Sequence, residues 1–360
     1  MGLLDGIRRR IKERKRASTQ RDIHAALTRA YDRAEVRDFE AGADRLVIFS
    51  DHHKGARDGA DDFQRCERGY NAALTYYDRL GYHLFELGDV EELWENEFKD
   101  VAENYRDTLK LAAAFQDGGR YTRFWGNHDL AWNDKDFFQD RMRDYGYGDV
   151  VPVEGLRLAV KDGAGEPVVE LFLVHGHQGT ADSDRNAWLS RWFVRHGWRP
   201  LQRLLNRPWN TPSVDWGLRG EHAEHMKTWA QADRRVLIAG HTHLPVFFAS
   251  EDEPEATPAD VPSPAAAASD RDEALRLARV AWAKAEQDRL RRQPPHELET
   301  PCYFNTGCCS FGDGDITGLE IRDGEILLIR WPCTPQTDPE PPLARMKLAE
   351  VYDRAVRPQS

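Results

Sequence analysis

The feature that most constrains this 360-residue sequence is a repeated layout, in which short apolar segments are each followed at once by His, Asp or Asn. Apolar runs of this length predict buried β-strands. The five pairs of strand and polar block are 45–49 with Ser50-Asp51-His52-His53, 82–87 with Gly88-Asp89, 121–125 with Gly126-Asn127-His128-Asp129, 167–174 with His175-Gly176-His177, and 235–239 with Gly240-His241-Thr242-His243. Because ligands in open α/β sheets bind outside the carboxyl ends of the strands, we expect the blocks to converge on one edge.

The residue types in these blocks predict a metal site. Aspartate and asparagine supply hard oxygen ligands, and histidine supplies imidazole nitrogen. This mixture suits Mn, Fe, Zn, Co or Ni better than Ca or a thiolate-loving metal. The glycines beside the ligands let the backbone come close to the site. A single His after a strand is more often a hydrogen-bonded structural residue, but five blocks in one arrangement favour metal binding.

The remaining sequence predicts a mixed-sheet α/β sandwich. Helical spacing of apolar residues indicates helices over 1–37, 63–80 and 91–115. Strands that alternate with helices and then give way to a run of strands are typical of this architecture. Asp323-Gly324 predicts a tight hairpin between the last two strands. The further predicted strands are 156–160, 246–249, 302–305, 316–322 and 325–331.

Composition divides the chain into a core and several additions. We predict one core domain over 41–333, with a Trp- and Arg-rich cap inserted at 178–234 and an acidic Ala/Pro-rich insertion at 250–300. A basic helix at 1–40 precedes the core, and a Pro-rich tail at 334–360 follows it.

Charge and apolar content limit the partners. The formal net charge is −11, which gives no long-range attraction for nucleic acid and argues against it as a partner. No apolar stretch reaches the ~18 residues of a membrane span, and no apolar region of a secretory signal follows the basic N-terminus. The five cysteines are an odd number without a CxxC pair, which indicates reduced thiols. We expect a cytoplasmic protein.

The basic N-terminal helix leaves two interpretations open. Eight Lys and Arg residues fall within residues 1–21, and Leu3, Leu4, Ile7 and Ile11 have helical spacing. Such a helix can lie on an anionic membrane surface as a peripheral contact. It can equally be a solvated helix that rests a narrow apolar stripe on the body of the protein.

The ordered motifs D-x-H, G-D, G-N-H-D, H-G-H and G-H-x-H resemble those of the calcineurin-like metallophosphoesterase superfamily. The resemblance covers 45–331, apart from the two insertions. It implies a four-layer αββα sandwich of two mixed sheets flanked by helices, with a helical cap insertion. It also implies two divalent transition-metal ions, for which Mn is the first expectation and Fe, Zn, Co and Ni are alternatives.

The same resemblance assigns roles to individual residues. The implied ligands of the first metal are Asp51, His53, Asp89 and His243. Asp89 bridges to the second metal, whose other implied ligands are Asn127, His175 and His241. The implied general acid is His128, which donates to the phosphate or leaving oxygen. Glu92 and Asp129 are both candidates for orienting its ring.

Several histidines compete for these roles. His52 competes with His53, and the D-x-H pattern favours His53. His177 competes with His175, which directly follows its strand. The unselected residues are candidates for supporting the ligands by hydrogen bonds. His222 and His225 are three apart on a predicted cap helix and could bind metal, although ordinary cap residues are the simpler interpretation.

The expected reaction is hydrolysis of a phosphate ester or pyrophosphate by a metal-activated hydroxide, with a phosphorylated small molecule or lipid-linked compound as substrate. The segment Gly88-Asp89-Val90-Glu91-Glu92-Leu93-Trp94 resembles the G-D-x-x-E-x-W block of UDP-2,3-diacylglucosamine pyrophosphohydrolases. That branch typically has Arg at the position of His128. A lipid- or nucleotide-sugar pyrophosphohydrolase at the membrane is therefore one alternative. A silent scaffold protein on the same fold is another.

The predicted cap contains candidates for substrate binding. Arg191, Arg195 and Arg199 recur every four residues, a step that drifts ~40° per repeat on an α-helix and gives a slowly winding basic stripe. Tryptophans lie between them. Arginine suits bidentate phosphate binding and tryptophan suits stacking, so this stripe can bind an amphiphilic phosphate. A helix packed on the body with solvated arginines is the competing interpretation.

Overall fold

The computed structural model describes residues 3–58, 61–179, 216–247, 300–333 and 339–357. Its strands are β1 (Glu35–Glu40), β2 (Leu46–Phe49), β3 (His83–Leu87), β4 (Tyr121–Phe124), β5 (Gly155–Lys161), β6 (Pro167–Val174), β7 (Val236–Ala239), β8 (Pro245–Val246), β9 (Tyr303–Thr306), β10 (Ile316–Arg322), β11 (Glu325–Trp331) and β12 (Ala344–Lys347). Its α-helices are α1 (Leu3–Arg33), α2 (Phe63–Arg79), α3 (Phe98–Asn104), α4 (Arg106–Ala113), α5 (Lys135–Met142), α6 (Trp216–Ala232) and α7 (Leu348–Val351). Single turns of 3-10 helix occur at Ala114–Gln116, Leu130–Asn133 and Arg143–Tyr145, and a π-helical turn at Tyr352–Val356.

The described strands form two mixed sheets. The first has the order β1-β5-β6-β7-β9-β8, and the second has the order β12-β11-β10-β2-β3-β4. β2, β3 and β4 are parallel neighbours, as are β6, β7 and β9. The predicted hairpin of β10 and β11 is confirmed. β5 and β6 also pair in the antiparallel direction. This arrangement is the α/β sandwich of two mixed sheets that the sequence predicts.

The central strand β2 explains why its sequence is continuously apolar. Leu46 and Ile48 belong to a core that includes side chains of both sheets and of α1 and α6. Val47 and Phe49 point to the opposite face and join a second core with α2, α3 and α4. Since successive side chains of a strand alternate in direction, a strand covered on both faces must be apolar throughout.

Three secondary-structure predictions need correction. The N-terminal helix ends at Arg33, and Glu35–Glu40 is an edge strand that pairs in parallel with β5. Only Phe39 is buried there, so the strand lacks an apolar pattern. The predicted tail contributes strand Ala344–Lys347, which pairs with β11. Helix α3 begins at Phe98 rather than at residue 91, because the preceding residues form tertiary contacts at the candidate site.

Two predicted insertions are only partly covered by the described residues. Helix α6 falls within the predicted cap, but it packs on α1 and β7 as part of the body. The rest of the cap lies outside the described residues, and Arg191, Arg195 and Arg199 lie there with it. The acidic insertion at 250–300 also lies outside them, apart from its last residue. Among the described helices, none combines the length and the apolar character that crossing a bilayer requires.

Candidate metal centre

The predicted ligands lie together where the carboxyl ends of strands from both sheets meet. Strands β2, β3 and β4 of the second sheet lead into three of the polar blocks, and β6 and β7 of the first sheet lead into the other two. Potential ligand atoms lie within 4.8 Å of one another in three groups. The groups are Asp51 with His53 and His243, His53 with Asp89 and His128, and Asp89 with His175 and His241.

The first group is built around the carboxylate of Asp51. Its Oδ1 lies 3.2 Å from Nε2 of His243 and 3.9 Å from Nε2 of His53. The two imidazole Nε2 atoms are 3.1 Å apart. Burial by itself would raise the pKa of Asp51, but His243 outweighs it and lowers the pKa to about 2. The carboxylate is therefore ionised and can accept a cation at neutral pH.

Asp89 connects the group of Asp51 and His53 to the group that contains His175 and His241. Its Oδ2 lies 3.9 Å from Nε2 of His53 and 3.1 Å from Nε2 of His175. Nδ1 of His175 donates to the carbonyl oxygen of Leu87 at 2.7 Å, which leaves Nε2 as the nitrogen facing the site. The ring of His241 lies 5.2 Å from that of His175, centroid to centroid. Oδ2 of Asp89 thus faces an imidazole of each group, namely His53 and His175.

The residues present fit a pair of divalent cations. Asn127 directly precedes His128 in the sequence. Its side-chain oxygen is buried and has no hydrogen-bond partner within the described part of the chain. Burial by itself would lower the pKa of His175, but Asp89 outweighs it and raises the pKa to about 9. A proton and a metal ion compete for the same lone pair on the imidazole nitrogen of His175, so the negative charge that favours the proton also favours a cation. Oxygen and imidazole donors favour a transition metal.

The backbone of the ligand loops is strained. Positive φ angles occur at Asp51 (53°), His53 (52°), Asp89 (51°), His241 (66°) and His243 (57°). These are five of the eight non-glycine residues with positive φ in the described part. Each such conformation costs on the order of 1–3 kcal/mol and persists where the surroundings enforce it, typically at functional sites. Five such residues in the ligand loops therefore agree with a functional role for these loops.

Two of the glycines are required by close approach of the ligand loops. A Cβ on Gly126 would overlap the carboxylate of Asp89, and a Cβ on Gly240 would overlap the carboxylate of Asp51 and the hydroxyl of Ser50. Any other residue would displace the ligand it touches. The predicted reason for glycine in these blocks, close backbone approach, agrees with this geometry.

His128 lies beside the ligand groups and contacts Glu92. Its Nδ1 is 2.6 Å from Oε2 of Glu92, and its backbone N–H donates to Oδ1 of Asp89 at 2.8 Å. The same Oε2 of Glu92 lies 3.1 Å from Nδ1 of His53. Burial by itself would lower the pKa of His128, but Glu92 and Asp89 outweigh it and raise the pKa to about 10. Of the two residues predicted to orient this ring, Glu92 makes the contact.

Asp129, the other candidate for orienting the ring of His128, contacts different groups. Its carboxylate accepts the backbone N–H groups of Val90 at 2.9 Å and Gly126 at 2.6 Å, together with the guanidinium of Arg123 at 2.8 Å. It therefore joins the loops after β3 and β4. Asp129 acts on the backbone of the ligand loops rather than on the ring of His128.

The structure also separates the competing histidines. His53 lies in the ligand groups, whereas His52 is buried with its ring 4.5 Å from that of Tyr70, centroid to centroid. His175 lies in a ligand group, and the ring of His177 is 5.4 Å from it. Nε2 of His222 donates to the carbonyl oxygen of Gly176 at 2.5 Å and so holds the loop that carries His175.

His225 lies on the side of α6 that faces α1. Its carbonyl oxygen accepts a hydrogen bond from Nε2 of His24 at 3.0 Å. Thr228, one turn further along α6, contacts the same nitrogen at 3.2 Å. His225 therefore takes part in joining the two helices, in agreement with the interpretation as an ordinary structural residue.

Sequence reasoning missed two residues near the site. Arg123 is fully buried in β4 and faces Glu86 of β3 in register. Charged residues inside short apolar strands were the available signal. The indole of Trp94 stacks on His128 with ring centroids 4.0 Å apart and planes inclined by 22°. Trp94 belongs to a motif that the sequence identified, but no role followed from its spacing.

Two mixed sheets with clustered Asp, Asn and His at their carboxyl edges define a protein of the metallophosphoesterase class. Residues 44–245, more than half of the chain, match the family model of calcineurin-like phosphoesterases. The chain belongs to this family, and at that level it is a phosphoesterase hydrolase. Comparison with curated proteins gives no match.

Solved structures with detectable similarity are distant. They include Vacuolar Protein Sorting 29 from Cryptosporidium parvum, with 11% identity, 84% of this chain and 98% of that chain covered, and a TM-score of 0.33. A predicted phosphoesterase from Streptococcus pneumoniae TIGR4 has 12% identity, coverage of 84% and 97%, and a TM-score of 0.30. A mutant of a cold-active protein tyrosine phosphatase has 15% identity, coverage of 87% and 83%, and a TM-score of 0.34.

Proposed function

We propose that this protein hydrolyses a phosphate ester or pyrophosphate at a pair of divalent transition-metal ions. The observation that carries the proposal is the position of Asp89. Its Oδ2 faces both His53, of the group with Asp51, and His175, of the group with His241. Asp51, His53, Asp89 and His243 would hold one ion. Asp89, Asn127, His175 and His241 would hold the other. A bound pair of such ions supplies an activated water and charge stabilisation for an in-line displacement.

The protein's own groups supply orientation and a proton. Oε2 of Glu92 lies 2.6 Å from Nδ1 of His128, and Nε2 is the ring nitrogen that would donate to the departing oxygen. Leu87 fixes the tautomer of His175, and Glu92 contacts Nδ1 of His53. These contacts keep Nε2 of His175 and Nε2 of His53 directed at the site before any ligand binds.

We propose a phosphorylated small molecule or a lipid-linked phosphate as the substrate and Mn as the metal. Nucleic acid is a poor candidate because the chain carries a net charge of −11. Peripheral contact of a cytoplasmic enzyme with a membrane through the basic N-terminal helix is part of this proposal. The G-D-x-x-E-x-W block is the observation that favours a lipid- or nucleotide-sugar pyrophosphohydrolase as a second candidate.

Metal analysis combined with a substrate screen tests the proposal. Protein supplied with Mn should contain about two transition ions per chain and hydrolyse at least one member of a set of phosphate mono-, di- and pyrophosphate esters. Removal of the metal with a chelator should abolish the activity, and addition of Mn should restore it. A protein saturated with metal but inert on every ester class would instead be a silent scaffold.

Replacement of His128 by alanine should separate proton donation from metal binding. We expect turnover to fall by about 10²–10⁴-fold, the usual contribution of general acid–base catalysis. Metal content should stay near normal, because the residue contacts Asp89 through its backbone N–H, which alanine retains. Measurement of both quantities on the same preparation decides the role. Loss of both ions in His128→Ala would make His128 a ligand and refute the assignment as acid.

A further inference from the structure

Three consecutive residues contact His128, each through a different chemical group. Oε2 of Glu92 lies 2.6 Å from Nδ1 of the imidazole. The backbone N–H of Leu93 donates to the carbonyl oxygen of His128 at 3.2 Å. The indole of Trp94 stacks on the imidazole face, with centroids 4.0 Å apart. We call residues 92–94 the His128 clamp, because they hold its ring atom, its backbone and its ring plane.

The clamp is itself held in place. The backbone N–H of Glu92 donates to the carbonyl oxygen of Lys54 at 3.0 Å, and its carbonyl oxygen accepts from Nδ2 of Asn96 at 3.1 Å. Oε1 of Glu92 accepts the backbone N–H of Trp94 at 3.2 Å. One oxygen of the Glu92 carboxylate therefore contacts the backbone of Trp94, and the other contacts the ring of His128.

A carboxylate contact alone does not fix the orientation of an imidazole. It anchors Nδ1 but leaves the ring free to tilt about that contact. The stacked indole on the face of His128 restricts the tilt, and the ring of His53 meets it edge-on, with centroids 4.6 Å apart and planes at 90°. Aromatic contacts of this kind favour one mutual orientation. Proton transfer depends on such alignment.

We infer that Trp94 is a positioning residue for His128, which it holds in the orientation that proton donation to the leaving oxygen requires. The inference rests on the function proposed above. In hydrolysis of an alcohol ester the P–O bond to the alcohol breaks, water supplies the new P–O bond, and the departing alkoxide oxygen takes a proton from His128. A phosphate leaving group ionises near neutral pH and departs without that proton. The orientation of the donor therefore matters most for an ester whose leaving oxygen is strongly basic.

The dependence on leaving group tests this inference. Phenyl phosphate and 4-nitrophenyl phosphate, or the corresponding diesters, differ in how much their leaving oxygen needs a proton, because 4-nitrophenol is the stronger acid. Trp94→Leu should lower kcat/KM for the phenyl ester at least about tenfold more than for the 4-nitrophenyl ester. Trp94→Phe, which retains a flat aromatic face, should recover most of the kcat/KM for the phenyl ester.

A second tryptophan provides the matched control. Trp125 also borders a ligand loop, but its ring lies on His177, with centroids 5.3 Å apart. Trp125→Leu should change kcat/KM for both esters by the same factor. Equal losses on both esters in Trp94→Leu would overturn the inference.

NMR separates failure of this inference from failure of the proposed function. The stacked indole should shift the imidazole ring protons of His128 upfield, and Trp94→Leu should remove that shift, with His128→Ala identifying the signals. Absence of the shift in the wild-type protein overturns the role of Trp94 whatever the activity. A protein with the shift that is inert on all phosphate esters overturns the proposed function instead.

Discussion

Asp89→Asn is expected to remove both metal ions, whereas Asp51→Asn removes only one. Asp89 belongs to two of the groups of potential ligands, while Asp51 belongs to one. Asparagine keeps the size of the side chain and can still accept the backbone N–H of His128, so the loops should stay in place. The loss of charge falls on the oxygen that faces both His53 and His175.

The expected effect on activity is correspondingly large. Without the metals the attacking water keeps a pKa of about 15.7 instead of about 7, so turnover of Asp89→Asn should fall by at least about a thousandfold. Metal analysis should find less than one ion per chain in Asp89→Asn and about one in Asp51→Asn. Asp38→Asn is a suitable control, because Asp38 is an exposed carboxylate on β1 that pairs with Lys161. Two ions retained in Asp89→Asn would show that this carboxylate is not a bridging ligand.

Arg123→Met is expected to cause the largest loss of stability. The guanidinium is fully buried and contacts Glu86, Glu91 and Asp129. Lys54, also fully buried, lies 3.5 Å from Glu86. Removal of one partner from a buried ionic cluster leaves uncompensated charge and costs about 3–5 kcal/mol. That is a large part of the ~5–15 kcal/mol that keeps a domain folded.

Urea denaturation of the metal-free protein measures this loss. Arg357→Met is the matched control, since Arg357 pairs with Asp353 at the surface and should change the free energy of unfolding by less than about 0.5 kcal/mol. The double variant Arg123→Met with Glu91→Gln should recover part of the loss, because it removes one uncompensated charge. A loss below about 1 kcal/mol in Arg123→Met would mean that the cluster tolerates the missing cation.

The two variants also differ in what they do to the site. Asp89→Asn acts on the ligands themselves. Arg123→Met acts through Asp129, whose carboxylate holds the backbone N–H groups of Val90 and Gly126 next to the ligands. Arg123→Met protein that remains folded should therefore bind metal about 10–100-fold more weakly, as is usual when a contact that supports a metal ligand is lost.

The clustering of the polar blocks at the carboxyl ends of the strands could be predicted from sequence because it follows from local patterns. Apolar runs such as 45–49 and 235–239 mark buried strands, and a polar residue directly after a parallel strand lies at its carboxyl edge. The hairpin at Asp323-Gly324 follows from turn chemistry in the same way. Such features need only a few neighbouring residues to be specified.

Only the tertiary structure decided the rest. Glu35–Glu40 is a strand because β5 pairs with it, and its own charged sequence gives no apolar alternation. The choice of Glu92 over Asp129 as partner of His128 depends on how two loops from different strands meet. Local sequence determines which side chains and backbone conformations are available. Contacts between segments distant in the chain depend on packing, and packing places Trp94 on His128 and Arg123 beneath the ligand loops.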